Sequence, residues 1–94
     1  MLFSLLDTKT GIFGPLMDCE TAASAVRNIK TFLNSGEKSM FSMYPEDYEL
    51  FQLGDYDKTV GTVIGLEAPL RICSLLEVKA QLLNKENSDV SVSV

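Results

Sequence analysis

The stretch from Tyr44 to Gly61, Y-P-E-D-Y-E-L-F-Q-L-G-D-Y-D-K-T-V-G, packs five carboxylates around four aromatic rings and two glycines. Glu46, Asp47, Glu49, Asp55 and Asp57 against Lys58 leave a net charge of −4 here, out of −5 for the whole chain. Carboxylates at this density can hold a hard cation, work as an acid and base pair, or simply build turns. A calcium loop starting at Asp55 would have Asp57 in its third position and Thr59 in its fifth. It fails where Val60 replaces the sixth-position glycine and Leu66 the final glutamate. No nucleophile, sugar-cleft pattern or phosphate-binding glycine loop accompanies the acids, so turn chemistry and solubility are the expected use.

The rest of the composition narrows the chemistry further. The 94 residues contain no histidine, which removes the commonest general base and the usual zinc ligand. Cys19 and Cys73 are far apart, without zinc-knuckle or thioredoxin spacing, and are expected to be reduced, semi-buried thiols. The eight Lys and Arg residues are scattered and the pI is near 4.5, a field that repels phosphate. Arg27, Lys30 and Lys38 could line one end of a helix and touch a nucleic-acid strand, although a solvated polar face accounts for them as well. Apolar runs are too short for a membrane span, and M-L-F-S-L-L-D-T-K has neither a basic leader nor a small-residue cleavage site, so a cytoplasmic protein is expected.

The elements that position these groups follow from periodicity. L-F-S-L-L (2–6) reads as a first strand ending in D-T-K-T-G. I-F-G-P-L-M (12–17) reads as an edge strand or bulged arm, because Pro15 lacks an amide hydrogen and Gly14 bends easily. In E-T-A-A-S-A-V-R-N-I-K-T-F-L-N-S-G, Ala22, Val26, Ile29 and Leu33 recur at helical spacing, with Ala25 and Phe32 widening the stripe. Asp18 or Thr21 is expected to cap this helix and Gly36 to stop it. After a polar connection, 48–53 and 62–67 read as strands joined by a turn over 54–61. Beyond Pro69, Ser74 and Glu77 make a capping box for a helix carrying Leu75, Val78 and Leu82 on one stripe, able to pack on the domain or pair with a partner. The expected fold is α+β: one domain over 1–85, with an antiparallel sheet of three to four strands covered by one amphipathic helix. A C-terminal helix follows, and 86–94 is expected to be a disordered tail that could add a strand to a sheet edge on binding.

Taken together, D-T-K-T-G-I-F-G-P-L, A-V-R-N-I-K-T-F-L-N, Y-P-E-D-Y-E-L-F-Q-L-G-D-Y-D and A-P-L resemble the small non-structural protein of gokushovirus-type microviruses, tailless phages with circular single-stranded DNA. The likeness rests on Asp7, Lys9, Phe13, Gly14, Pro15 and Arg27, on the run from Pro45 to Asp57, and on Gly61 and Pro69; the longer C-terminal segment departs from it. The resemblance implies a role in phage DNA replication in the host cytoplasm, helping the switch from duplex replicative-form synthesis to single-stranded genome synthesis and packaging.

An acidic chain without histidine suits docking better than catalysis, so a non-enzymatic adaptor without cofactor or metal is expected, acting on phage replication or packaging proteins. Tyr44, Glu46, Asp47, Tyr48, Tyr56 and Asp57 are the candidate partner-binding residues, the tyrosines supplying apolar area with a hydroxyl and the acids steering a basic partner. The same tyrosines could instead brace the sheet. The alternative is single-stranded DNA binding, with Phe41 and the tyrosines stacking on bases and Arg27 and Lys30 on phosphates. A third reading is a homo-oligomeric scaffold assembled through the last helix.

Overall fold

The computed structural model describes residues 1–83. Strand β1 (Leu2–Asp7) is followed by two short strands, β2 (Ile12–Phe13) and β3 (Met17–Asp18), then by helix α1 (Ala22–Asn34) and the short helix α2 (Met40–Met43). A 3-10 turn (Pro45–Asp47) leads into β4 (Tyr48–Asp57), β5 (Thr62–Ser74) and a third helix, α3, over 75–83. The sheet is antiparallel with order β2-β1-β4-β5, and β3 also pairs with β1. The expected α+β class holds, with five strands in place of three to four. The expected tail, 86–94, lies outside the described residues.

Both hairpin turns are built alike. In Asp7–Gly11 and Asp57–Gly61 the glycine N–H donates to the aspartate carbonyl at 2.8 Å, and the aspartate side chain accepts the N–H two residues on, at 2.9 Å from Lys9 and 3.0 Å from Thr59. Gly11 and Gly61 close the turns at φ 73° and 68°, a left-handed conformation costly for any residue with a Cβ. The strands therefore run on to Asp57 and restart at Thr62. Gly54, Asp55, Tyr56 and Asp57, expected in the turn, are instead paired strand residues opposite Gly65, Ile64, Val63 and Thr62.

Strand β4 bends at Leu53, the extra residue in its pairing with β1 between Gln52 and Gly54. On the other side Gln52 pairs with Leu70 and Gly54 with Gly65, so residues 66–69 bulge out of β5. Pro69 sits in this bulge, where no ladder hydrogen bond is asked of it. Beyond the bend the strands come so close that a Cβ added to Gly54 would overlap the Ile64 carbonyl oxygen.

One face of the sheet is covered. Phe3, Tyr48 and Leu50 join Cys19, Ala25 and Ile29 of the α1 side and Leu75 and Val78 of α3 in a single buried cluster. Thr21 caps α1 through a reciprocal pair with Ser24, and Gly36 at φ 81° follows its end. Ser39 and Ser42 make the same box for α2, an element hidden in what reads as a polar connection. At α3 the expected cap is present: the Glu77 N–H donates to Ser74 Oγ at 3.0 Å. Its Leu75 and Val78 are fully buried in the same chain, leaving Leu76 and Leu83 exposed.

Candidate functional site

The candidate residues are distributed along β4 and do not form one patch. Tyr44 and Glu46 are exposed beside the 3-10 turn, whereas Tyr56 and Asp57 lie at the far end of β4, roughly 25 Å away at about 3.3 Å per residue. Between them Tyr48 is only 8% exposed, its ring edge-on to Phe41 at 4.7 Å between centroids. Burial, with Asp7 and Asp47 nearby, raises its phenol pKa above the ordinary value. Tyr48 is thus a brace of the sheet, the second of the two readings open to it. Asp47 is half-buried, and its carbonyl accepts both the N–H and the hydroxyl of Thr8 at 2.9 Å, tying the 3-10 turn to the first hairpin.

Four of the acids, Asp18, Glu49, Asp57 and Glu77, are committed to local structure. Asp57 accepts from the Thr59 hydroxyl at 2.6 Å as well as from its N–H, and these bonds hold its carboxyl below the usual range. Asp18 is lowered chiefly by Lys58, whose Nζ lies 3.1 Å away and pins the second turn to the body of the sheet. Glu49 and Glu77 grip Arg71 at 2.5 and 3.2 Å, fastening β4, β5 and α3 together. Among the described residues, no three Cys, Asp or Glu side chains converge in a way that could hold a metal ion. No helix of the described residues is long and apolar enough to cross a membrane.

For the nucleic-acid alternative, Arg27 is exposed and Lys30 half-buried on α1. Phe41 is not a free stacking platform. It is half-buried between Tyr48 and Phe32, the latter at 6.0 Å between centroids. Cys19 and Cys73 are both free thiols, the first buried and the second raised in pKa by burial and by Glu77.

Two features escape the sequence reading. The first is an open apolar groove of about 270 Å³ between the Gly14–Pro15 arm and α1, walled by Leu5, Met17, Ile29, Phe32, Phe41 and Leu75. The arm is held by two bonds, Ser4 Oγ to the Gly14 carbonyl at 2.8 Å and the Gly14 N–H to the Leu5 carbonyl at 2.9 Å. The second is the ribbon formed by β4 and β5 beyond Leu53. Its residues 55–65 and the bulge 66–69 are all exposed, including Tyr56, Val60, Val63, Ile64 and Leu66.

Residues 1–78 match the family model described as Phage ORF5 protein, which spans every strand, α1, α2 and the start of α3. The chain belongs to the Phage ORF5 protein family. No curated protein and no solved structure matches it. Membership makes this a phage protein, and both the groove and the ribbon lie inside the matched residues, while most of α3 lies beyond them. The groove was findable in part: the apolar, ladder-breaking run Phe13-Gly14-Pro15-Leu16 already marked an arm standing off the sheet.

Proposed function

We propose that this phage protein is a non-enzymatic accessory of DNA replication in the host cytoplasm. It helps the switch from duplex replicative-form synthesis to single-stranded genome synthesis and packaging, by docking on a replication or packaging protein. The observation that carries the docking reading is the groove beside the Gly14–Pro15 arm. Its walls are almost wholly apolar, it opens to the surface, and at about 270 Å³ it suits one or two side chains of a partner better than a small molecule. Phe32 stands on its lip at 37% exposure, an aromatic wall of the kind that anchors interfaces. The net charge of −5 steers such a chain toward basic surfaces.

The test is calorimetric titration of the purified chain against the replication initiator and the capsid proteins of the same phage, with Phe32→Ala alongside. Binding of one of them by the wild type, weakened at least tenfold by Phe32→Ala in a variant with unchanged circular dichroism, supports the reading. Failure of the wild type to bind any of them, or equal binding by the variant, refutes it.

A further inference from the structure

The sheet changes character at one level along its length. Strand β1 begins at Leu2, opposite Gly54, so beyond that pair only β4 and β5 continue. Both are interrupted there: Leu53 is the extra residue of β4, and residues 66–69 leave the pairing of β5 between Gly65 and Leu70. The first pair past the break is Gly54 with Gly65, which have no side chains to pack across the joint. Every residue from Asp55 to Pro69 is exposed, so among the described residues no buried apolar contact fixes the ribbon to the body. A few residues free of packing are what a hinge needs.

Ionic contacts cross the joint instead. Asp18 of β3 pairs with Leu2, and Leu2 with Gly54, so Asp18 stands level with the joint and two strand spacings, about 10 Å, to one side. Lys58 follows Gly54 by four residues, about 13 Å along a straight strand. A ribbon continuing straight would hold the two α-carbons about 16 Å apart, farther than an aspartate and a four-carbon lysine stem reach together. Yet Lys58 Nζ lies 3.1 Å from Asp18 Oδ2, so the ribbon curls toward β3 to make this pair. The Asp55 carboxylate also lies 3.2 Å from the Met1 amino group, but one residue from the joint it has little leverage on the tip.

We propose that the ribbon is a hinged arm: it turns about Leu53 and the 66–69 bulge between a closed position, latched to β3 by the Lys58–Asp18 pair, and an open one in which the pair is broken. The latch is weak. Lys58 is 73% exposed, and an ion pair in water shifts an equilibrium by up to about fivefold and is screened by salt. With so small a bias across a joint without packing, both positions are populated and ionic strength alone tips the balance. The arm uses no residue of the groove and does not depend on that reading.

NMR relaxation dispersion of the full chain detects exchange in the microsecond-to-millisecond range of hinge motion and tests this in wild type, Lys58→Ala, Lys58→Arg and Lys38→Ala. The expected result is exchange confined to the joint and the ribbon, with an open population about two- to fivefold higher in Lys58→Ala, and in wild type at high salt, than in wild type at low salt. Lys58→Arg keeps the charge and stays near wild type, and Lys38→Ala, on the α1–α2 connection, changes nothing. Residual dipolar couplings give the independent reading: ribbon amides share the alignment of the body in wild type at low salt and are scaled down relative to it in Lys58→Ala. An open population that neither Lys58→Ala nor salt raises overturns the proposal. So does exchange spread through the body of the sheet, or a ribbon that keeps the alignment of the body in Lys58→Ala.

Discussion

Leu50 and Leu70 offer a paired test of where the core of this protein ends. Both lie in strands of one sheet, yet Leu50 is fully buried and Leu70 is 54% exposed. Truncating Leu50 to alanine removes the equivalent of three methylenes from the cluster around Phe3, Ile29 and Leu75, about 2.4 kcal/mol of transfer free energy at about 0.8 kcal/mol each. The void left between sheet and helices brings the loss to about 3–4 kcal/mol. For Leu70 less than half of the transfer applies and no cavity forms, so the loss is about 1 kcal/mol. A domain of this size has a total stability of about 5–14 kcal/mol, so the first change removes a large share of it. Urea unfolding in dilute solution should show the two losses at unchanged slope, with the melting temperature of Leu50→Ala falling by more than about 12 °C and that of Leu70→Ala by about 4–8 °C. Equal losses at the two positions would refute the division of this sheet into covered and uncovered positions.

Further perturbations probe the turns, the charges and the surface. Gly54→Ala drives a methyl into the Ile64 carbonyl and should cost about 1–3 kcal/mol, with amide shift changes in Tyr56 and Val63 by NMR, whereas Gly65→Ala meets open space and should do neither. Asp18, Asp57 and Glu77 have carboxyls held below their ordinary values, so their contribution is present above the usual carboxylate range and is lost as pH falls through the depressed folded values; acid titration of stability should show this loss below about pH 4, reduced in Glu77→Gln. Tyr48 has a raised phenol pKa, so stability should also fall as pH rises past about 10, and Tyr48→Phe should remove that alkaline limb. Fluorescence anisotropy with labelled single-stranded and duplex DNA across a salt series should show no binding at micromolar protein; preferential, salt-sensitive binding of single strands would restore Arg27 and Lys30 as contacts.

The parts of this fold that could be read beforehand are those whose determinants are close in sequence. Helix α1 declares itself through Ala22, Ala25, Val26 and Ile29, and α3 through Ser74 and Glu77, because each signal spans a turn or two. The second hairpin misled for the opposite reason. Gly54, Asp55 and Asp57 have turn composition, but cross-strand pairing with Gly65, Ile64 and Thr62 outweighs local preference. The repeated Asp-x-x-x-Gly of residues 7–11 and 57–61 was the better signal, since it names the same turn twice. Tyr48 belongs with Leu50 by strand alternation, and that parity places its ring in the core. Of the groove only the ladder-breaking Gly14–Pro15 arm was legible, since the other walls come from β1, α1, α2 and α3, which only the folded chain brings to it.

The position of β4 between β1 and β5 has a kinetic consequence. Its pairing with β5 closes through the turn at Lys58–Gly61, a local event on the microsecond scale, whereas its pairing with β1 joins Leu5 to Leu50 across a loop containing all of α1 and α2. The second step must restrain some forty residues before any contact rewards it, so it governs the folding rate. Substitutions in the ribbon, already paired when that step occurs, and at the β1–β4 seam should both slow refolding more than they hasten unfolding. The ribbon would then be among the earliest structure to form.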